Sequence, residues 1–276
     1  MKQLSIRASI RASVALALLL AFGLSAFAQS RPQVINIPLS RPGDPIHLDI
    51  SAPSARIEVI GEDRDDAAFE VSMIAESERR IITPSGAKTI KGGGYAYDID
   101  EDDNEISFDM DWRADKVTVV ARIPRRADVA LQTVNDGEIV VSNIVGNLEL
   151  SNPNGPITAS GISGSVIAES VNDTIDVGFS RIDDVNASSL ESINGDLYVR
   201  LPADASAQVH LDTAQGEISS DFEVEIMPSE GVVEREDDEN GVSIRIENVI
   251  VARINGGGPV LRLKTLHGDI HIGKID

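Results

Sequence analysis

The stretch Ser192-Ile193-Asn194-Gly195-Asp196-Leu197 reads small hydroxyl, apolar, amide, glycine, acid, aliphatic, and the chain repeats it. Thr213-Ala214-Gln215-Gly216-Glu217-Ile218 and Thr265-Leu266-His267-Gly268-Asp269-Ile270 are close copies. Looser ones stand at Asp136-Gly137-Glu138-Ile139, Asn154-Gly155-Pro156-Ile157 and Asn172-Asp173-Thr174-Ile175. A phrase that recurs at short spacing marks a repeat architecture in which each unit leans on its neighbours.

The spacing sets the unit. Gly137 to Gly155 is 18 residues and Gly155 to Asp173 another 18, with Gly146 and Gly164 midway. Each half is therefore a short strand plus a turn, and two halves make one coil. Asp173 to Gly195 is 22 residues and Gly195 to Gly216 is 21, so later coils carry wider turns. The turn positions are Gly137, Gly155, Asp173, Gly195, Gly216 and Gly268, where a residue tolerant of positive φ is expected. Two places on, Ile139, Ile157, Ile175, Leu197, Ile218 and Ile270 point inward as a core ladder. Val140, Thr158, Asp176, Tyr198, Ser219 and His271 then point outward. Before the turn, Asp136, Asn154, Asn172, Asn194, Gln215 and His267 form a column suited to stacked amide hydrogen bonds. The fold class expected is all-β, a β-solenoid with short coils of 18–22 residues. The last copy would cap its C-terminal end.

Upstream, Ile46, Leu48 and Ile50 alternate with polar residues, as do Ile57-Glu58-Val59 and Ile106, Phe108 and Met110. These are half-buried strands. Residues 29–276 are expected as a single domain, with an irregular β region at 29–125 ahead of a repeat core at 126–276. Within the first part, 76–104 is expected as a protruding, acidic, glycine-containing loop with a short hairpin at its base. A second excursion, 222–241, interrupts the repeats.

Lys2, Arg7 and Arg11 precede the apolar run Val14 to Phe22 and an Ala-x-Ala pattern ending at Ala28. That is the layout of a secretory signal peptide, 1–28, cleaved after Ala28. The run is short of the roughly 20 apolar residues of a membrane span, so no transmembrane segment is expected after its removal. The protein is expected to be exported, to the periplasm or the cell surface. The chain has no cysteine, hence neither disulfides nor a lipid-anchoring cysteine. Net charge is −21, which argues against nucleic acid or an anionic membrane as partner. Aromatics are only 4% of residues, as suits thin coils filled with Ile, Val and Leu.

The phrase, repeated with paired short strands behind a signal peptide, resembles the bacterial putative-adhesin domain family. Gly256-Gly257-Gly258-Pro259 followed by Leu261-Arg262-Leu263-Lys264-Thr265-Leu266-His267-Gly268-Asp269-Ile270 carries the resemblance most closely. It covers Ile46 to Ile275, most specifically 117–222 and 254–272. It implies a single-stranded right-handed β-helix and a surface-adhesion role, and supplies no catalytic residues.

No catalytic constellation stands out. There is no Gly-x-Ser-x-Gly elbow and no phosphate-binding glycine loop before a helix. Asp183-Asp184 and Asp269 look superficially like the carboxylates of a polysaccharide enzyme, yet Asp269 only repeats the acid at Glu138, Asp196 and Glu217. His267 and His271 are four apart, a metal spacing on a helix but not on a strand. No cofactor and no zinc site are expected, and calcium is the cation that the acids at 98–104 would take. Asp176, Tyr198 and Arg200 on one outward face form a candidate strip for a protein or glycan of the cell envelope. The function expected is a non-enzymatic envelope adhesin or scaffold. The alternative is a periplasmic sensing module that binds a ligand or regulatory partner, and a polysaccharide-active enzyme comes third.

Overall fold

Apolar residues at every second position make strands, and the turn phrases decide where each strand stops. The computed structural model describes residues 33–73, 97–111, 117–182, 186–228, 232–238, 241–247 and 249–275. Among them every helix-or-strand element is a strand. The upstream strands are β1 (Gln33–Pro38), β2 (Ile46–Ser51), β3 (Ala55–Glu62), β4 (Asp66–Met73), β5 (Tyr97–Asp102), β6 (Glu105–Met110) and β7 (Val117–Pro124). The repeats give β8 (Ala127–Gln132), β9 (Glu138–Ser142), β10 (Leu148–Asn152), β11 (Ile157–Gly164), β12 (Val166–Ser170), β13 (Ile175–Ile182), β14 (Ser188–Glu191), β15 (Leu197–Pro202), β16 (Ala207–Thr213) and β17 (Ile218–Ser220). Then come β18 (Val224–Ile226), β19 (Val232–Asp238), β20 (Gly241–Glu247), β21 (Ile250–Ile254), β22 (Val260–Thr265) and β23 (Ile270–Ile275).

They form two large mixed sheets and a separate β19–β20 hairpin. The first sheet runs β1-β4-β7-β3-β9-β11-β13-β15-β23-β17, and the second β18-β21-β16-β22-β14-β12-β10-β8-β2-β6-β5. Neither closes into a barrel. From β7 to β17, successive strands alternate between the two sheets. Within each sheet the repeat strands pair in parallel, one coil to the next. Antiparallel pairs sit toward the ends: β1 with β4, β4 with β7, β5 with β6, and β21 with β16 and β18.

The core lies between the sheets. Ile139, Ile157, Ile175, Leu197 and Ile270 are fully buried, and Ile218 is half-buried. Their register is direct: Ile139 opposite Ile157, then Ile175, then Leu197. The next partner is Ile270, and Ile218 follows it. Phe179 is buried on β13, and three further aromatic rings gather among the upstream strands. Phe69 and Tyr97 both stack on Phe108, with ring centroids 5.8 and 5.3 Å away.

Four expectations change. First, the last copy is no cap. β22 lies between β14 and β16, and β23 between β15 and β17. The N-terminal end does the same: β2 lies between β6 and β8, and β3 between β7 and β9. The strands of the last copy, like β2 and β3, are thus flanked on both sides in their sheets. Second, the upstream region is not irregular at β2 and β3, which continue both repeat sheets in parallel register. Third, the acidic stretch is itself in the hairpin expected at the base of the loop: Tyr97–Asp102 is a strand paired with β6, with Asp103 and Asn104 as the turn. Both have positive φ, 55° and 68°, as a two-residue hairpin turn requires. The rest of the expected loop, 76–96, lies outside the described residues, as do Ala28 and the signal segment. Fourth, the excursion at 222–241 contains strands β18 and β19 and runs to the first residue of β20.

The glycines of the phrase have a different reason from the expected one. Gly137, Gly155, Gly195, Gly216 and Gly268 do not have positive φ. They are places where one coil's backbone touches the next. A Cβ on Gly155 would lie 1.8 Å from the Gly137 carbonyl oxygen, and one on Gly195 1.8 Å from that of Asp173.

Candidate functional site

The phrase is consumed by the stack. Its hydroxyl closes the turn: Ser192 Oγ accepts from Gly195 N at 2.9 Å, and Thr265 Oγ1 from Gly268 N at 3.2 Å. The same Thr265 hydroxyl donates to the Gly195 carbonyl of the adjacent coil. The amide column is continuous from Asn154 to His267. Asn172 Nδ2 donates to Asn154 Oδ1 at 2.8 Å, and Asn194 Nδ2 to Asn172 Oδ1 at 2.9 Å. His267 Nδ1 lies 3.0 Å from Asn194 Oδ1, an acceptor, so this nitrogen carries the proton. The acids also reach across coils: Asp196 Oδ1 accepts from Asp269 N, and Asp269 Oδ1 from Glu217 N, both at 2.8 Å. His267 and Asp269 therefore have structural partners. Asp183 and Asp184 lie outside the described residues.

What remains for chemistry is the outward face of the first sheet. Asp176 and Tyr198 are register partners on β13 and β15, and Tyr198 pairs in turn with His271 on β23. Arg200 stands two residues after Tyr198, between Gly178 and Gly273 on the flanking strands. Neither glycine has positive φ; Gly273 leaves room instead. A Cβ on Gly273 would lie 3.6 Å from Arg200 Cγ and 3.3 Å from His271 Nε2. Arg200 thus lies in a trough, and its Nη2 reaches Asp176 Oδ1 at 2.7 Å. Burial pushes the Asp176 carboxyl pKa up, and Arg200 opposes the shift without cancelling it. Tyr198 is 38% exposed, and its ring meets that of His271 at 6.1 Å between centroids. His271 Nδ1 lies 2.9 Å from Ser219 Oγ, and Nε2 lies 3.8 Å from Asp221 Oδ2.

The structure therefore brings together Asp176, Tyr198 and Arg200, and adds His271, Ser219 and Asp221. The sequence put Ser219 and His271 on the outward face but not beside one another. Their meeting follows from the insertion of β23. Chemically the strip offers a half-exposed guanidinium, an aromatic face, an imidazole and a hydroxyl. It is a shallow recognition surface.

The acids at 98–104 are disposed otherwise. Asp98, Asp100 and Asp102 point to solvent along β5, which is an edge strand. Glu101 turns back and accepts from Ser40 N, Ser40 Oγ and Asn104 N. The Ser40 N–H leads in holding its carboxyl below the ordinary range. Among the described residues, no group of three or more His, Asp or Glu side chains is placed to hold a metal ion.

No protein-family model matches the chain, and no curated protein matches it. Solved structures similar to it include two from bacteria. One is a putative cell adhesion protein from Clostridium sporogenes ATCC 15579, at 10% identity and a TM-score of 0.43, covering 89% of this chain and 100% of that one. The other is a putative adhesin from Bacteroides fragilis NCTC 9343, at 10% identity and a TM-score of 0.38, covering 89% of this chain and 98% of that one.

Proposed function

We propose that the chain is an exported, non-enzymatic β-solenoid of the cell envelope that works as an adhesin or scaffold. In this reading it presents the strip of Asp176, Tyr198, Arg200 and His271 to a protein or glycan. The observation that carries the reading is the strip's construction. In-register parallel strands hold an aromatic ring and a guanidinium side by side, over a trough that Gly273 keeps open. A rigid rack with aromatic and arginine side chains outward suits recognition, because little side-chain freedom is lost on contact. The alternation of strands between two sheets supports the solenoid, and the sequence of residues 1–28 supports export. Adhesion is preferred to sensing on the resemblance to putative-adhesin domains.

The test is paired. Surface accessibility of the native protein is measured by protease shaving of intact cells. Purified protein and the Tyr198→Ala/Arg200→Ala variant are then compared on immobilised matrix proteins and glycans. Surface exposure, with binding lost in a variant that melts normally, supports the reading. A periplasmic pool co-purifying with an inner-membrane regulator replaces adhesion with sensing. Glycan turnover abolished at Asp269 would overturn both.

A further inference from the structure

The second sheet carries a groove that the strip does not explain. Four outward residues fall in one row across adjacent strands: Glu169 on β12, Glu191 on β14, Lys264 on β22 and Asp212 on β16. Lys264 Nζ lies 4.0 Å from Asp212 Oδ2. Three carboxylates thus face one ammonium along this wall. The opposite wall is the second position of the phrase, Ile193, Leu266 and Ala214. All three are exposed, with Ile193 at 44% and Leu266 at 46%. Between the walls runs a groove of about 380 Å³, floored by Ser170, Ser192 and Thr265. Those hydroxyls are already used in closing their turns.

The second position neither enters the core nor joins the amide column. Ile193 and Leu266 there each leave close to half of their surface in solvent, and exposed apolar surface beside polar groups marks an interaction site.

We propose that this groove docks an extended polypeptide segment that alternates cationic and aliphatic side chains. The geometry selects the pattern. Four adjacent strands span about 14 Å at about 4.8 Å per strand, the length of about four extended residues. Alternate side chains of an extended segment point to opposite sides. A segment lying along the groove therefore sends one set toward Glu169, Glu191 and Asp212 and the other toward Ile193 and Leu266. The excess of negative charge on the first wall selects Lys or Arg, and the second wall selects aliphatic residues. The chain's net charge of −21 adds attraction at longer range. The proposal concerns the opposite sheet from the strip and stands independently of it.

The test uses purified protein and a fluorescent alternating Lys–Leu peptide, followed by anisotropy. Glu169→Gln/Glu191→Gln is expected to weaken binding about tenfold, through two lost charge contacts at a solvated rim. Ile193→Ser/Leu266→Ser is expected to weaken it similarly. All four side chains are exposed, so the variants should melt like the parent. If either does not, Lys264→Glu serves instead: it removes the wall's one cation and should tighten binding. Asp44→Asn/Asp65→Asn makes the same charge change on exposed residues away from the groove and should leave binding unchanged. Absence of binding to the Lys–Leu peptide overturns the proposal. So does equal weakening by the Asp44/Asp65 variant, which would mean diffuse charge attraction. Equal binding of an alternating Lys–Ser peptide overturns it too, because the apolar wall would then contribute nothing.

Discussion

Gly155→Ala sets two effects of opposite sign against each other. On the unfolded side, replacing glycine by alanine removes chain entropy and stabilises by about 0.4–1 kcal/mol wherever the native backbone accepts a side chain. The backbone at Gly155 is outside the left-handed region, so on conformational grounds alanine should help. On the folded side, the new Cβ would sit 1.8 Å from the Gly137 carbonyl oxygen and 2.8 Å from Asn152 Nδ2. Asn152 is fully buried, and this Nδ2 donates to the same Gly137 oxygen at 3.0 Å. Relief of the clash needs the two coils to move apart by more than 1 Å, which breaks that bond. Overpacking of this kind costs about 1–3 kcal/mol, and the lost buried bond about 0.5–1.5 kcal/mol more, the amide keeping the Pro156 carbonyl as its second acceptor at 3.3 Å. The folded-state loss wins, by roughly 0.5–4 kcal/mol. Gly178→Ala is the matched control. Its backbone is likewise outside the left-handed region, but its nearest neighbour to a new Cβ is 3.8 Å away. There alanine should stabilise by about 0.5 kcal/mol. Urea denaturation followed by circular dichroism measures both. A Gly155→Ala midpoint at or above that of Gly178→Ala would refute the close-approach account of the phrase glycines.

Ile175→Asp places a carboxylate at a site with no exposure, between Ile157 and Leu197. A loss of several kcal/mol is expected, seen as unfolding of the middle coils, and an unchanged cooperative melt would contradict the ladder. Asp176 has a folded pKa above its ordinary 3.8. Between those two values the folded state holds a proton that the unfolded state has released, so this group's contribution falls as pH rises through the window. Asp176→Asn should therefore gain on the parent in melts compared between pH below 3.8 and neutral, and a parallel pair of pH profiles would count against it. Asp98, Asp100 and Asp102 line the exposed side of edge strand β5, where charge discourages strand-to-strand association. Replacing all three by Thr should produce concentration-dependent self-association in light scattering, and an unchanged particle mass would show that the acids do not guard the edge.

The period, the inward positions and the amide column are legible in the residues because each is a local requirement repeated in place. Ile139, Ile157 and Ile175 need only a two-residue alternation after a turn, and their registers follow. Asn154, Asn172 and Asn194 need only equal phase within each coil. The role of glycine is harder to read. Positive φ and close backbone approach both select it, and sequence cannot separate a conformational demand from a steric one exerted by a different coil. Acidic residues 98–102 mislead for a related reason. Alternating acid with Tyr97, Ile99 and the inward-bent Glu101 has the composition of a loop but the period of an edge strand. The hydroxyl of the phrase is missed because its two partners, the turn amide and the next coil's carbonyl, appear only when coils are stacked.

Coil order is the property that no local pattern records, and both candidate surfaces depend on it. Every coil presents the same parallel edges and the same phrase, so the pairing rules alone let any copy neighbour any other. Stacked in chain order, β15 would meet β17, and Tyr198 would lie beside Ser219. On the other sheet β14 would meet β16, and Glu191 would lie beside Asp212 with no lysine in the row. Insertion of β22 and β23 changes both. It puts His271 between Tyr198 and Ser219, and Lys264 between Glu191 and Asp212. It also sets Gly273 against Arg200, completing the trough opposite Gly178. The final repeat thus contributes through the residues in and around its phrase that differ from those of the other copies: His271 and Gly273 on one sheet, and Lys264 and Leu266 beside the other.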